Sequence, residues 1–157
     1  MARVGILMGS KNDYGEMKPA EDVLERLGVE TDVRVISAHR TPDRLMKFLA
    51  DAEGEGIEVL ICGAGGAAHL AGVTAAHTLL PVLGVPIENS PLSGLDSLLS
   101  TVQMPGGIPV ATFGIGKSGA KNAGLFAAAI LARRDPELGK RLAEFRAAEA
   151  AKVPERP

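Results

Sequence analysis

Five short apolar runs recur along this 157-residue chain, and each ends in a cluster of glycine and polar residues. Apolar runs of this length are typical of buried strands, and the segments between them carry apolar residues at i, i+3 and i+4, which is typical of helices. The predicted strands are 3–8, 31–36, 57–62, 82–86 and 109–113, and the predicted helices are 14–28, 42–52, 67–79, 93–103, 121–133 and 136–151. This alternation favours a parallel sheet between two layers of helices, an α/β/α sandwich.

The composition supports a core built from aliphatic side chains. The chain has four Phe, one Tyr and no Trp, so Val, Ile, Leu and Ala must fill the interior, as they do around parallel strands buried on both faces. Five strands favour the flavodoxin-like order 2-1-3-4-5, here with one additional C-terminal helix. We predict a single domain over residues 1–157 with a frayed tail at 152–157.

Charge, cysteine content and hydropathy exclude several classes of function. A net charge of −2 argues against a nucleic-acid or acidic-membrane partner, since both would need a basic face. The single cysteine, Cys62, cannot form an internal disulfide and is expected to be a small buried residue in a reducing compartment. We see no signal peptide and no apolar stretch of the ~20 residues that a membrane-spanning helix requires. We therefore predict a cytoplasmic protein with no nucleic-acid partner and no membrane segment.

The polar clusters contain nearly all of the reactive side chains. Because the carboxyl ends of parallel strands gather at one edge of a sheet, we expect Ser10, Asp13, His39, Arg40 and His69 to share one rim. Histidine exchanges protons near neutral pH, since its free pKa is about 6.5. A lone histidine at such a position would more often cap the next helix, but two on one rim favour proton-transfer chemistry.

Two of the clusters admit a structural as well as a functional interpretation. Ser10 can donate to a phosphate oxygen and Asp13 can accept from a ribose hydroxyl, yet both are also ordinary capping and turn residues. The segment 63–69, GAGGAAH, ends a predicted strand and opens a helix. Its glycines allow a ligand to approach the backbone, and the helix start offers N–H groups to an anion, but a tight packing turn has the same composition.

No metal or cofactor is predicted from the residue pattern. His77 lies too far along the chain from His69 for a metal pair, and no other set of Cys, His and carboxylates has metal-site spacing. A receiver domain could use Asp13 and Lys117, but it needs an aspartate at the end of the third strand, where this chain has Cys62 followed by Gly and Ala. A flavodoxin needs aromatic walls for its flavin, and one Tyr without Trp supplies them poorly.

Five motifs are distributed along the chain: GILMGSKND at 5–13, SAHRTP at 37–42, GAGGAAHL at 63–70, LSGLDSL at 92–98 and VQMPGGIP at 102–109. In order and spacing they resemble those of the N5-carboxyaminoimidazole ribonucleotide mutase family. That family converts N5-carboxyaminoimidazole ribonucleotide to 4-carboxy-5-aminoimidazole ribonucleotide in purine synthesis, without metal, ATP or biotin. The resemblance implies a flavodoxin-like fold and a homo-octamer with sites between subunits.

The resemblance also assigns roles to individual residues of this chain. His39 would be the general acid/base, and His69 would be the second catalytic histidine. The turn at 63–69 would form the pocket for the migrating carboxyl group. The substrate-binding residues would be Ser10, Asp13, Ser37, Arg40, Gly63, Ala64, Gly65, Gly66 and Ala67.

Two positions bear on how closely the chain follows the family pattern. Ala71 stands where the family usually has proline, which leaves the rigidity of that helix start open. Arg40 and the GAGGAAH turn favour the mutases over a sister group that uses free CO2 directly and has lysine after its histidine. That CO2-using carboxylase is the alternative function. The alanine-rich stretch 120–132 and the helix at 95–102 are candidate contacts between chains.

Overall fold

The computed structural model describes residues 3–156 and contains a five-stranded, all-parallel sheet in the order β2-β1-β3-β4-β5. The strands are β1 (Arg3–Met8), β2 (Glu30–Val35), β3 (Ile57–Gly65), β4 (Val82–Ile87) and β5 (Ala111–Thr112). The helices are α1 (Tyr14–Arg26), α2 (Pro42–Ala52), α3 (Leu70–Ala76), α4 (Leu95–Val102), α5 (Lys117–Leu131) and α6 (Pro136–Ala150), and a 3₁₀ turn spans Lys11–Asp13. The predicted α/β/α architecture and strand order are confirmed.

Two apolar cores lie on opposite faces of the sheet, because successive side chains of each strand point to opposite sides. Ile6 belongs to the core that α1, α5 and α6 cover, and Leu7 belongs to the core under α2 and α3. Cys62 lies in the second core, where burial raises the pKa of its thiol to about 12 and the thiol donates to Thr74 Oγ1. Cys62 is therefore the small buried residue expected from the sequence.

The alanines on the inner face of α5 pack in the core of their own chain. Ala120, Ala123 and Ala127 are fully buried, and a Cβ added at Gly124 would lie 2.6 Å from Val23 Cγ1 of α1. Small residues on this face let the two helices approach closely. The expectation that the alanine-rich stretch packs against neighbouring chains is therefore wrong for this face, while Phe126 on the outer side is 49% exposed.

Several element boundaries differ from the sequence-based prediction where the backbone turns. Helix α4 begins at Leu95 rather than at residue 93, because Ser93 and Gly94 both have positive φ, 54° and 82°. Strand β3 continues to Gly65, since residues 63–65 pair with 85–87 of β4. Strand β5 is only two residues long, and Pro109, at its predicted start, has no N–H to donate to a neighbouring strand.

The C-terminal segment lies outside the regular elements. Helix α6 ends at Ala150, and residues 151–156 are exposed. A single domain with a frayed tail stays a prediction, and residue 157 lies outside the described residues. Among residues 3–156, no helix has the length and apolar character needed to cross a membrane.

Candidate active site

The segments that follow β1, β2, β3 and β4 surround a cavity of about 260 Å³ at the carboxyl edge of the sheet. Parallel sheets of this type bind ligands at that edge. The cavity is lined by Gly9, Ser10, Asp13, Ser37, Ala38, His39, Arg40, Ala64, Gly65, Ala67, His69, Leu70 and Asn89. All of the predicted site residues line this cavity except Gly63 and Gly66.

The two predicted catalytic histidines are in direct contact. His39 Nε2 lies 2.7 Å from His69 Nδ1, and the two rings meet edge to face with an interplanar angle of 88°. One nitrogen must carry the hydrogen and the other must offer its lone pair, so the pair shares one proton across the contact. The contact therefore joins the two rings directly, nitrogen to nitrogen.

The turn after β2 is held by its own polar groups and presents a cation to the cavity. The Ser37 N–H donates to Thr41 Oγ1 at 2.9 Å, and the Arg40 N–H donates to Ser37 Oγ at 3.1 Å. Pro42 then begins α2, where its missing N–H costs nothing. The Arg40 guanidinium donates to Gly9 O at 3.0 Å, which fixes it across the cavity mouth between two turns.

Asp13 is a buried carboxyl at the floor of the first turn. Its side chain is 6% exposed and accepts from the Ser10 N–H at 3.1 Å, while Ser10 Oγ accepts from the Asn12 N–H. This reciprocal arrangement is a capping box. Burial raises the pKa of Asp13 above 3.8, although the Ser10 hydrogen bond and the positive charge of Arg40 oppose that rise.

We expect Asp13→Asn to be at least as stable as wild type at pH 7. Because the pKa of Asp13 is raised on folding, its contribution to stability is present below pH 3.8 and is lost as the pH rises through the raised value. A neutral amide keeps an oxygen for the Ser10 N–H but avoids burying a charge. Melting temperatures of wild type and variant at pH 7 and below pH 3.8 test this expectation. Glu25→Gln is the control, because it removes the same charge from an exposed side chain. A lower melting temperature for Asp13→Asn at pH 7 would contradict it.

The glycine turn, residues 63–69, begins within the last residues of β3, and close packing there explains the glycines at 63 and 65. A Cβ at Gly63 would lie 2.2 Å from Met17 Sδ, and a Cβ at Gly65 would lie 2.0 Å from Asn89 Nδ2. Gly66 has φ of 63°, a conformation that glycine adopts without strain. Gly63 is therefore a packing residue, whereas Gly65 and Asn89 together form the cavity wall.

Substituting Gly65 by alanine is expected to cost roughly 1–3 kcal/mol of stability, the usual range for overpacking. The added methyl group would displace the Asn89 amide, so combining it with Asn89→Ala should remove most of that cost. Urea unfolding of both single variants and of the double variant measures this coupling. Gly9→Ala is the control, because a Cβ at this other cavity-lining glycine meets nothing within 4 Å. Additive effects of Gly65→Ala and Asn89→Ala would refute the steric explanation.

The structure adds residues to the site that the sequence analysis did not select. Asn89 enters through the turn after β4, and Ser100 reaches the glycine turn from α4, where its Oγ accepts from the Ala68 N–H at 2.9 Å. Asn89 belongs to the polar cluster that follows the predicted fourth strand, and this position was the one sequence signal that could have identified it as a site residue. His77 and Lys117, both exposed, lie away from the cavity. Among residues 3–156, no group of three His, Cys, Asp or Glu side chains is arranged to hold a metal ion.

The sequence also matches a family model over residues 3–152, and the family is described as AIR carboxylase, where AIR is aminoimidazole ribonucleotide. The chain belongs to the AIR carboxylase family. It is 56% identical to the N5-carboxyaminoimidazole ribonucleotide mutase of Escherichia coli K12, over 99% of this chain and 92% of that relative. The relative of the same name in Pseudomonas aeruginosa is 54% identical, over 99% and 96% respectively.

A solved structure of a similar protein has the same fold. The crystal structure of Treponema denticola PurE superposes with a TM-score of 0.88 at 28% identity, covering 97% of this chain and 94% of that one. The resemblance drawn from the five sequence motifs is confirmed. Membership of the AIR carboxylase family also sets aside the receiver-domain and flavodoxin alternatives, which share only the type of sheet.

Proposed function

We propose that this chain is an N5-carboxyaminoimidazole ribonucleotide mutase of purine biosynthesis. The observation that carries the proposal is that relatives of that name, 54% and 56% identical, align with 99% of the chain. The cavity agrees with it, because it combines a histidine pair, a fixed guanidinium and a wall of small residues. The reaction moves a carboxyl group from the exocyclic nitrogen of an aminoimidazole ribonucleotide to ring carbon C4.

The proposed chemistry needs one proton donor that later becomes a base. When the N–C bond breaks, its electron pair stays on nitrogen, CO2 departs, and the imidazolium of His39 protonates the nitrogen. Carbon C4 then attacks the CO2, the new C–C bond forms, and neutral His39 removes the C4 proton. One proton is given and one is recovered, and His69 is placed to share that proton between the two transfers.

The remaining residues would bind the ribonucleotide and retain the CO2. Ser10, Ser37 and Arg40 would bind the phosphate, and Asp13 would accept from a ribose hydroxyl; all four line the cavity. Ala64, Gly65 and Ala67, which line the cavity, would form the carboxyl pocket, where a small apolar wall suits an uncharged molecule. Gly63 and Gly66 would contribute only through the packing and the turn of the backbone. No metal, ATP or biotin has a role in this scheme.

The alternative, a carboxylase that uses free CO2, is distinguished by its substrate. The measurement is product formation by ultraviolet absorbance, with fresh N5-carboxyaminoimidazole ribonucleotide compared with AIR plus CO2. Reactions in EDTA without added cofactor, corrected for spontaneous carbamate formation, should be fast with the first and slow with the second. Efficient CO2-dependent turnover of AIR would establish the carboxylase instead, and inactivity with both would refute the proposed reaction.

We also propose that the chain works in the cytoplasm as a homo-octamer with sites between subunits. Apolar side chains remain exposed where partners could cover them: Leu95, Leu99 and Val102 form a stripe along α4. Leu79 is 99% exposed, and it lines an apolar groove of about 360 Å³ together with the half-exposed Phe126. Light scattering should give a mass near eight times the 16.3 kDa of one chain, whereas the mass of one chain would contradict the assembly.

A further inference from the structure

Helix α4 contacts two walls of the cavity through two of its polar side chains. Ser100 Oγ accepts from the Ala68 N–H at 2.9 Å, donates to Asp96 O at 2.7 Å and lies 3.4 Å from Gly66 O. One turn earlier, the Asp96 carboxylate accepts from Ser90 Oγ at 2.7 Å. The helix therefore holds both the glycine turn and the turn that carries Asn89.

The hydrogen bond to Ala68 satisfies a donor that has no helical partner. Ala68 is 1% exposed and lies between the end of β3 and the start of α3 at Leu70. Only two residues earlier, Gly66 turns the chain with a positive φ of 63°. A buried N–H without a partner is costly, so removing the Ser100 hydroxyl favours conformations in which this turn opens and Ala68 reaches water.

We infer that Ser100 is a positioning residue that keeps the glycine turn closed around the migrating carboxyl group. The inference rests on the proposed mutase function and adds a role outside the cavity lining. Ser100 touches the backbone of the turn and not the histidine pair. Its loss should therefore change the fate of the CO2 more than it changes the proton transfers.

The two fates of the CO2 are chemically distinct. After the N–C bond breaks and the nitrogen is protonated, the site holds AIR and CO2. Attack by C4 gives the carboxylated product. Opening of the turn lets the CO2 exchange with dissolved CO2 before that attack, or lets AIR and CO2 leave to the solution. The ratio of released AIR to carboxylated product therefore measures how well the turn stays closed.

Three variants of α4 separate positioning from general destabilisation. Ser100→Ala removes the hydroxyl, and Ser100→Thr keeps it. Thr101→Val is the matched control, because it removes the neighbouring buried hydroxyl, which donates to Ser97 O within the helix at 2.7 Å and does not line the cavity. Each variant is given fresh N5-carboxyaminoimidazole ribonucleotide in ¹³C-labelled bicarbonate, against an enzyme-free blank.

For Ser100→Ala we expect the ratio of AIR to product, and the ¹³C content of the product, to rise roughly tenfold, with Ser100→Thr and Thr101→Val near wild type. Amide hydrogen exchange gives a readout that does not need turnover: Ala68 should lose protection in Ser100→Ala and keep it in Thr101→Val. If wild type makes product but Ser100→Ala has the same AIR-to-product ratio and the same Ala68 amide protection as Thr101→Val, the role of Ser100 is refuted and the proposed function stands. If wild type makes no product, the proposed function fails, and this inference fails with it.

Discussion

Replacing His39 by asparagine is expected to leave substrate affinity within a few fold of wild type and to lower turnover by roughly two to four orders of magnitude, the usual contribution of a general acid/base. Asparagine is polar and its amide matches the Nδ1 end of the imidazole, so it can occupy the same turn. It is too short to replace His39 Nε2 in the 2.7 Å contact with His69 Nδ1. An amide cannot exchange a proton near neutral pH. Single-turnover rates and substrate titrations of the same preparation separate the two effects.

The control for His39→Asn is His77→Asn, which removes an exposed histidine from the end of α3, away from the cavity. His77→Asn should keep wild-type turnover. His69→Asn should lower turnover as well, and the double variant with His39→Asn should lose little more than the worse single one, because residues that act as a unit are non-additive. Near-normal turnover of His39→Asn would remove His39 from the mechanism.

The strand order of this fold is accessible from sequence, whereas several element ends are not. Five apolar runs with helical segments between them permit few topologies, because crossovers in parallel sheets are right-handed. The start of α4, in contrast, is not accessible from the sequence. Ser93 adopts φ of 54°, which a non-glycine residue seldom does. Local propensity therefore does not predict that the helix begins only at Leu95.

The candidate site, too, is predictable from the sequence only in part. His39 and His69 each follow a predicted strand, so their shared rim is predictable from the rule for parallel sheets. Their 2.7 Å contact depends on how two turns aim the side chains, and spacing along the chain carries no such information. The sequence analysis missed Ser100 for a similar reason, because its partner Ala68 lies 32 residues away along the chain. Within α4, nothing in the sequence distinguishes this serine from any other polar helix residue.

Substituting Arg40 by glutamine is expected to raise KM roughly 10- to 100-fold and to change kcat only a few fold. A charge-assisted hydrogen bond contributes about 1.5–3 kcal/mol. In the proposed function the guanidinium, which donates to Gly9 O, binds the substrate phosphate and not the reacting carbon and nitrogen. The same loss should weaken inhibition by ribose 5-phosphate by a similar factor, which isolates the phosphate contribution from the chemistry.

Arg133→Gln is the matched control for Arg40→Gln, because it removes the same charge from an exposed arginine after α5 that does not line the cavities beside Arg40. It should change KM by no more than a few fold. A second readout is independent of substrate: the positive charge of Arg40 lowers the pKa of Asp13, so its loss should move the Asp13 carboxyl titration, followed by carbon NMR, to higher pH. An unchanged titration together with an unchanged KM would place the guanidinium away from both partners, and the anion site would then have to be built from Ser10 and Ser37 alone.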